Sequence, residues 1–136
     1  MASNDQSPDP ALAPLREAID SVDRRLVELL AERARLALEV GRLKQASGAP
    51  VYRPEREAEI LRAVAALNRG PLPAASVEQI FREVISACRA LERPVVVAYL
   101  GPAGTFSELA ALRQFGSAVR LEPCASIDEV FHCAET

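Results

Sequence analysis

Residues 12–46 read LAPLREAIDSVDRRLVELLAERARLALEVGRLKQA, and the fold turns on this stretch. Leu12, Leu15, Ile19, Val22, Leu26, Leu29, Arg33, Leu36, Val40 and Leu43 follow one another at alternating spacings of three and four. This is the seam of an amphipathic helix, with Arg33 its one position that is not apolar. The pattern predicts a helix over 12–46, roughly 50 Å long at about 1.5 Å per residue. Such a helix cannot cover its own stripe, so a partner helix is required, in this chain or in a second copy. Ser47-Gly48-Ala49-Pro50 ends it.

Outward from this helix, Pro54 opens a second, with Ile60, Leu61, Val64 and Leu67 on one face and Asn68-Arg69-Gly70-Pro71 as its stop. A third is expected to open on a capping box, Ser76-Val77-Glu78-Gln79. It carries Val77, Ile80, Phe81, Val84, Ile85, Cys88 and Leu91 and closes at Pro94. At Val95 the pattern changes. VVVAYLG (95–101) predicts a strand buried on both faces. GPAGTFSE (101–108) then opens a helix on a second capping box, Thr105 with Glu108, that ends near Phe115-Gly116. A strand over 119–121 and a capped start at Ser126-Ile127-Asp128-Glu129 follow. The expected domains are therefore a flexible tail (1–11), a helical domain (12–94) and an incomplete α/β, βαβ-type segment (95–136). About 42 residues cannot bury a core of their own.

Composition narrows the function. The chain has 136 residues, 49% hydrophobic and 26% charged, so it is globular. Residues 1–94 carry fourteen charges of each sign, whereas residues 95–136 carry two basic against five acidic. No excess of positive charge points to nucleic acid or an anionic membrane. No apolar run approaches a membrane span, and the first residues lack a secretory pattern. Three scattered cysteines, Cys88, Cys124 and Cys133, argue against a disulfide framework and for the cytoplasm. Cys124, His132 and Cys133 lack metal-ligand spacing, and Gly101 with Gly104 is too short for a nucleotide fingerprint, so neither metal nor cofactor is expected.

What remains is a set of cations suited to a small anion. A guanidinium on an apolar seam needs an anionic partner, either a Glu of a neighbouring helix or a ligand carboxylate or phosphate at Arg33. Lys44 is eleven residues on, about three turns, hence on the same face and about 16 Å further along. Arg16 is about 25 Å from Arg33 along the helix and can reach the same small ligand only from a second, antiparallel copy. Arg53, Arg56 and Glu57 surround the start of the second helix, where backbone N–H groups attract anions. Cys88 and Glu92 share a face of the third helix, and each also reads simply as a core residue and a rim charge. The chain has no Ser/His/Asp set, and its single His lies near the C-terminus.

LREAIDSVDRRLVELLAERARLALEVGRLK (15–44), YRPEREAEIL (52–61) and FREVISACRALE (81–92) resemble the all-helical class of chorismate mutase. VVVAYLGPAGTFSELAALRQFG (95–116) with SIDEVF (126–131) is similar to the start of a prephenate dehydratase domain. That order is found in the bifunctional chorismate mutase–prephenate dehydratase family of phenylalanine biosynthesis. The resemblance implies an all-α, three-helix mutase module that forms an intertwined homodimer and converts chorismate to prephenate. It implies Arg33, and Arg16 from the other subunit, on the substrate carboxylates. Lys44 falls on the ether-oxygen position, Glu57 on the contact to the substrate hydroxyl, and Arg56 on its support. Arg53 stands where some members have an acidic residue. Cys88 and Glu92 stand where many have serine and glutamine, which puts Glu92 with Lys44 at the ether oxygen. The dehydratase's catalytic threonine motif is not among these residues, so mutase without dehydratase activity is expected. The competing expectation is a non-catalytic helical dimerisation module, or a fragment of the bifunctional enzyme, with Arg33 in an interhelical ion pair.

Overall fold

The computed structural model describes residues 9–136. Among them are five helices and two strands: α1 (Leu12–Ser47), α2 (Pro54–Leu67), α3 (Ala74–Glu92), β1 (Val96–Leu100), α4 (Phe106–Phe115), β2 (Arg120–Cys124) and α5 (Ile127–Glu135). They fall into two compact units, one reaching to Arg33 and the other covering Ala34–Thr136. Most of the expected tail, residues 1–8, lies outside the described residues. Residues 9–11 lead into α1. The Asp9 side chain accepts from the Ala11 N–H at 3.0 Å and its carbonyl from the Leu12 N–H at 2.9 Å, which fixes the entry to α1.

Helix α1, which runs through both units, presents its stripe to solvent. The nine apolar seam positions from Leu12 to Leu43 are each 40–72% exposed. That is a large apolar surface left open along one helix. The helix ends where Gly48 takes φ 70°, a conformation that costs glycine nothing.

In the second unit α2 packs on α3, and β1 pairs with β2 in parallel, Val96 opposite Arg120 and Leu100 opposite Cys124. Helices α4 and α5 lie against β1, and α3 touches α4. The core is small: Ile85, Cys88, Tyr99, Ala111 and Cys124, with Ser86 and Arg89 buried among them. Two expectations about local structure do not hold. Helix α3 begins two residues earlier than its expected cap, at Ala74 after Pro73, so Ser76 lies inside the first turn and caps nothing. Proline favours this start because its missing N–H and fixed φ suit a helix entry. At α4, Thr105 is the N-cap residue without a side-chain cap bond; its hydroxyl donates to Leu100 O at 3.4 Å, and Glu108 instead accepts from the Gly104 N–H. The start of α5 is capped as expected, Ser126 Oγ accepting from the Glu129 N–H at 3.2 Å.

The strand over 96–100 is present, but it is not buried on both faces. Only Tyr99 is buried, while Val96 is 54% and Leu100 39% exposed. An apolar run reaches full burial only when strands flank it and helices cover both faces. Here β2 is its single neighbour among the described residues. Likewise β2 lies later than expected, at Arg120–Cys124 rather than 119–121.

Candidate active site

Lys44 and Glu92 come together across 48 positions of chain. Lys44 Nζ donates to Glu92 Oε2 at 3.0 Å and to the Val51 carbonyl at 3.3 Å. The two side chains are 19% and 11% exposed, so the pair is shielded but still open to a ligand. An ammonium has three N–H donors, and one remains uncommitted here. Gly41 makes the approach possible. It is the buried residue of α1, and a Cβ built on it would lie 3.2 Å from Cα, Cβ and Cγ of Glu92. The end of α3 thus rests on α1 where there is no side chain.

Glu57 projects from the first turn of α2 and meets Arg89 of α3, whose Nη1 donates to Oε1 at 3.4 Å and Oε2 at 3.3 Å. Burial pushes the Glu57 carboxyl above its ordinary value of 4.5, against the pull of Arg89, then of Arg82 and Lys44, and with a further push from Glu92. Those four charges place Glu57 within electrostatic reach of the Lys44–Glu92 pair. A cleft of about 110 Å³ opens beside Glu57, lined by Tyr52, Leu61, Arg82 and Ile85 among others. It is smaller than the roughly 300 Å³ at which small-molecule pockets begin.

The remaining expected residues are placed differently. Cys88 is buried in the α3 core, 8% exposed, one turn before Glu92. Arg53 and Arg56 face outward: Arg53 Nε pairs with Glu55 at 3.0 Å and Arg56 Nη1 with Glu59 at 3.3 Å, all exposed. The structure does not bring these two arginines to Lys44 and Glu92. Arg16 is exposed and Arg33 half-buried on α1, both in the first unit.

The chorismate mutase type II family matches residues 15–93. The chain belongs to that family. The prephenate dehydratase family matches residues 97–136. Among curated relatives, the bifunctional chorismate mutase/prephenate dehydratase of Pseudomonas aeruginosa is 54% identical over 136 residues, and that of Neisseria gonorrhoeae 50% over 131. Each alignment takes in 96% of this chain but 36% of the relative, so the chain spans about a third of their length. A solved chorismate mutase (form II) from Thermus thermophilus is 40% identical, with a TM-score of 0.59 over 60% of this chain and 93% of that one.

For a chorismate mutase type II chain the sequence reading missed one buried charge, Arg89, which is 5% exposed. The signal existed. Arg89 lies at helical spacing from Ile85 on the apolar face of α3, just as Arg33 stands out on its own seam.

Proposed function

We propose that the chain rearranges chorismate to prephenate, in the cytoplasm, as a homodimer of three-helix mutase modules (residues 12–94) joined to the dehydratase-like segment (95–136). The observation that carries this reading is the Lys44–Glu92 pair, shielded between α1 and α3 with one ammonium N–H uncommitted, in a chain of the chorismate mutase type II family. The rearrangement is concerted. It breaks a C–O bond and forms a C–C bond in one cyclic electron shift, so it needs no nucleophile, metal or cofactor. The protein's task is to hold the folded conformer and to stabilise negative charge growing on the ether oxygen. Lys44 donates to that oxygen, and Glu92, when protonated, donates beside it.

Two substrate carboxylates require two clamps. Arg33 supplies one from the same chain and Arg16 the other from the partner copy. The uncovered seam of α1 supports the dimer: nine apolar positions at heptad spacing, all exposed in a single chain, form the surface a second long helix would cover. Glu57 accepts from the substrate hydroxyl, with Cys88 packing behind α3. A role for Arg56, and for Arg53, asks each to leave an exposed carboxylate partner. That exchange costs little, because both pairs stand in water.

The reading assigns mutase and not dehydratase turnover to these 136 residues. The test is direct. Loss of chorismate absorbance on adding the purified protein, together with no phenylpyruvate from supplied prephenate, is the expected result. A folded dimer that leaves chorismate untouched would instead make the helices a dimerisation module.

A further inference from the structure

Among the described residues Arg89 is the one charged side chain in the core, and its donors go in two directions. Nη1 holds both oxygens of Glu57, and Nη2 donates to the Phe115 carbonyl at 2.5 Å, at the end of α4. Its guanidinium carbon lies 5.3 Å from the Tyr52 ring centroid and 5.9 Å from that of Phe115, the two rings being 5.1 Å apart. Nε is buried without a hydrogen-bond partner. An apolar side chain beside Ile85 and Cys88 would fill the space but leave the Phe115 carbonyl and the Glu57 carboxylate without this donor, so the arginine serves these two acceptors rather than packing.

The Phe115 end of the contact is firmly seated. Gly116 has φ 75°, and a Cβ on it would overlap Ser86 Cβ, so α3 and this turn meet at a glycine. Ser86 is fully buried and its Oγ accepts from the Ala118 N–H at 3.1 Å. Ser117 donates to Glu83 through Oγ at 2.6 Å and through its N–H at 3.1 Å. Residues 115–118, which lie within the dehydratase-like segment, are thereby tied to the same helix that carries Arg89 and Glu92.

We propose that Arg89 is a positioning residue of the mutase site, held by the 115–118 turn, and that through it the dehydratase-like segment keeps the Glu57 carboxylate aimed at the substrate hydroxyl. This rests on the role of Glu57 proposed above. Glu57 faces Arg89, Arg82 and Glu92 from α3 and Lys44 from α1, and of these Arg89 alone hydrogen-bonds it. Burial already raises its pKa, and Arg89 is the largest force opposing that rise. Removing the guanidinium leaves burial less opposed, so Glu57 takes up its proton at a higher pH. A protonated Glu57 is a poorer acceptor, and the acid limb of the rate profile moves toward neutrality.

The experiment compares pH profiles of kcat/KM for the 136-residue chain and for Arg89→Met, Arg89→Lys and Phe115→Ala. Arg89→Met should shift the acid limb upward by about one pH unit, an approximately tenfold loss on the acid side that shrinks as pH rises. Arg89→Lys, which restores the charge, should recover part of the shift. Phe115→Ala keeps the guanidinium but removes one ring of its cradle, and should give a smaller shift in the same direction. If Arg89→Met does not fold, this variant decides. A loss of equal size at every pH overturns the proposal. Titration of 13C-labelled glutamate carboxyls, read without substrate, separates the two ideas. A wild-type chain without turnover sinks the proposed function, whereas an unchanged Glu57 titration in Arg89→Met sinks the role of Arg89.

Discussion

Adding one methyl group at Gly41 tests the geometry on which the site depends. The new Cβ would lie 3.2 Å from three carbon atoms of Glu92, one of them backbone. Carbon atoms rest at about 3.5–4.0 Å, so α3 must yield by a few tenths of an ångström or more. Two energies oppose each other. Alanine in a helix interior is favoured over glycine by about 1 kcal/mol, whereas overpacking a tight contact costs about 1–3 kcal/mol. Glu92 is the last residue of α3, which can give more easily than mid-helix, so the penalty falls toward the middle of that range. Gly41→Ala should therefore be less stable by about 1 kcal/mol, a fall of roughly 4 °C in Tm for a chain of this size. Turnover should suffer more. The 3.0 Å Lys44–Glu92 pair moves with the helix end, and since a misplacement of about 1 Å can cost a hundredfold, a few tenths should cost about tenfold in kcat/KM. Circular dichroism melting and chorismate consumption on one preparation measure both. Gly48→Ala is the control: its Cβ meets nothing within 4 Å, so it should strain a left-handed residue by about 1–2 kcal/mol and leave kcat/KM alone. A Gly41→Ala protein that melts higher and turns over normally would refute the close approach of α3 to α1 and the reasoning built on it.

Three further outcomes test the proposed mechanism. Arg33→Ala should keep its helical circular dichroism and lose most activity, because a methyl group suits an apolar seam while the substrate loses a bidentate clamp; a variant that unfolds would favour a structural ion pair. Refolding Arg16→Ala chains with an equal amount of Lys44→Ala chains should restore up to about a quarter of wild-type activity. Half the dimers are then mixed and each mixed dimer has one intact site, so heterodimers without recovery would exclude a site shared across the interface. Glu92→Gln keeps the acceptor for Lys44 and gains a donor at every pH. It should raise kcat/KM, and an unchanged kcat/KM would leave Glu92 a rim charge.

Periodicity and punctuation are local properties, and what they govern was readable from the chain itself. The three–four spacing from Leu12 to Leu43 marks a helix because a residue's neighbours on a helix surface lie three and four positions away. Pro54 marks a start because its ring fixes φ, and Gly48 and Gly116 mark ends because glycine takes a positive φ without strain. Arg33 stood out for the same reason, as a charge interrupting a stripe. The cap residues were less readable: α3 starts before Ser76, and Thr105 stands at the N-cap of α4 but turns its hydroxyl to the Leu100 carbonyl.

Tertiary structure alone decided which charges meet. Lys44 finds Glu92 across 48 residues, and Arg89 finds Glu57 across 32 and the Phe115 carbonyl across 26. A sequence can flag a cation on an apolar face, because burying it alone is too costly, but its counter-charge depends on where the chain returns. The same holds for Gly41 and Gly116. That neither tolerates a side chain appears only when α1 and the α4–β2 turn are set against α3, leaving no room for one. Burial of β1 also belongs to the assembled fold: an apolar run is suited to a covered strand, but neighbouring strands and helices do the covering, and here Val96 and Leu100 remain exposed.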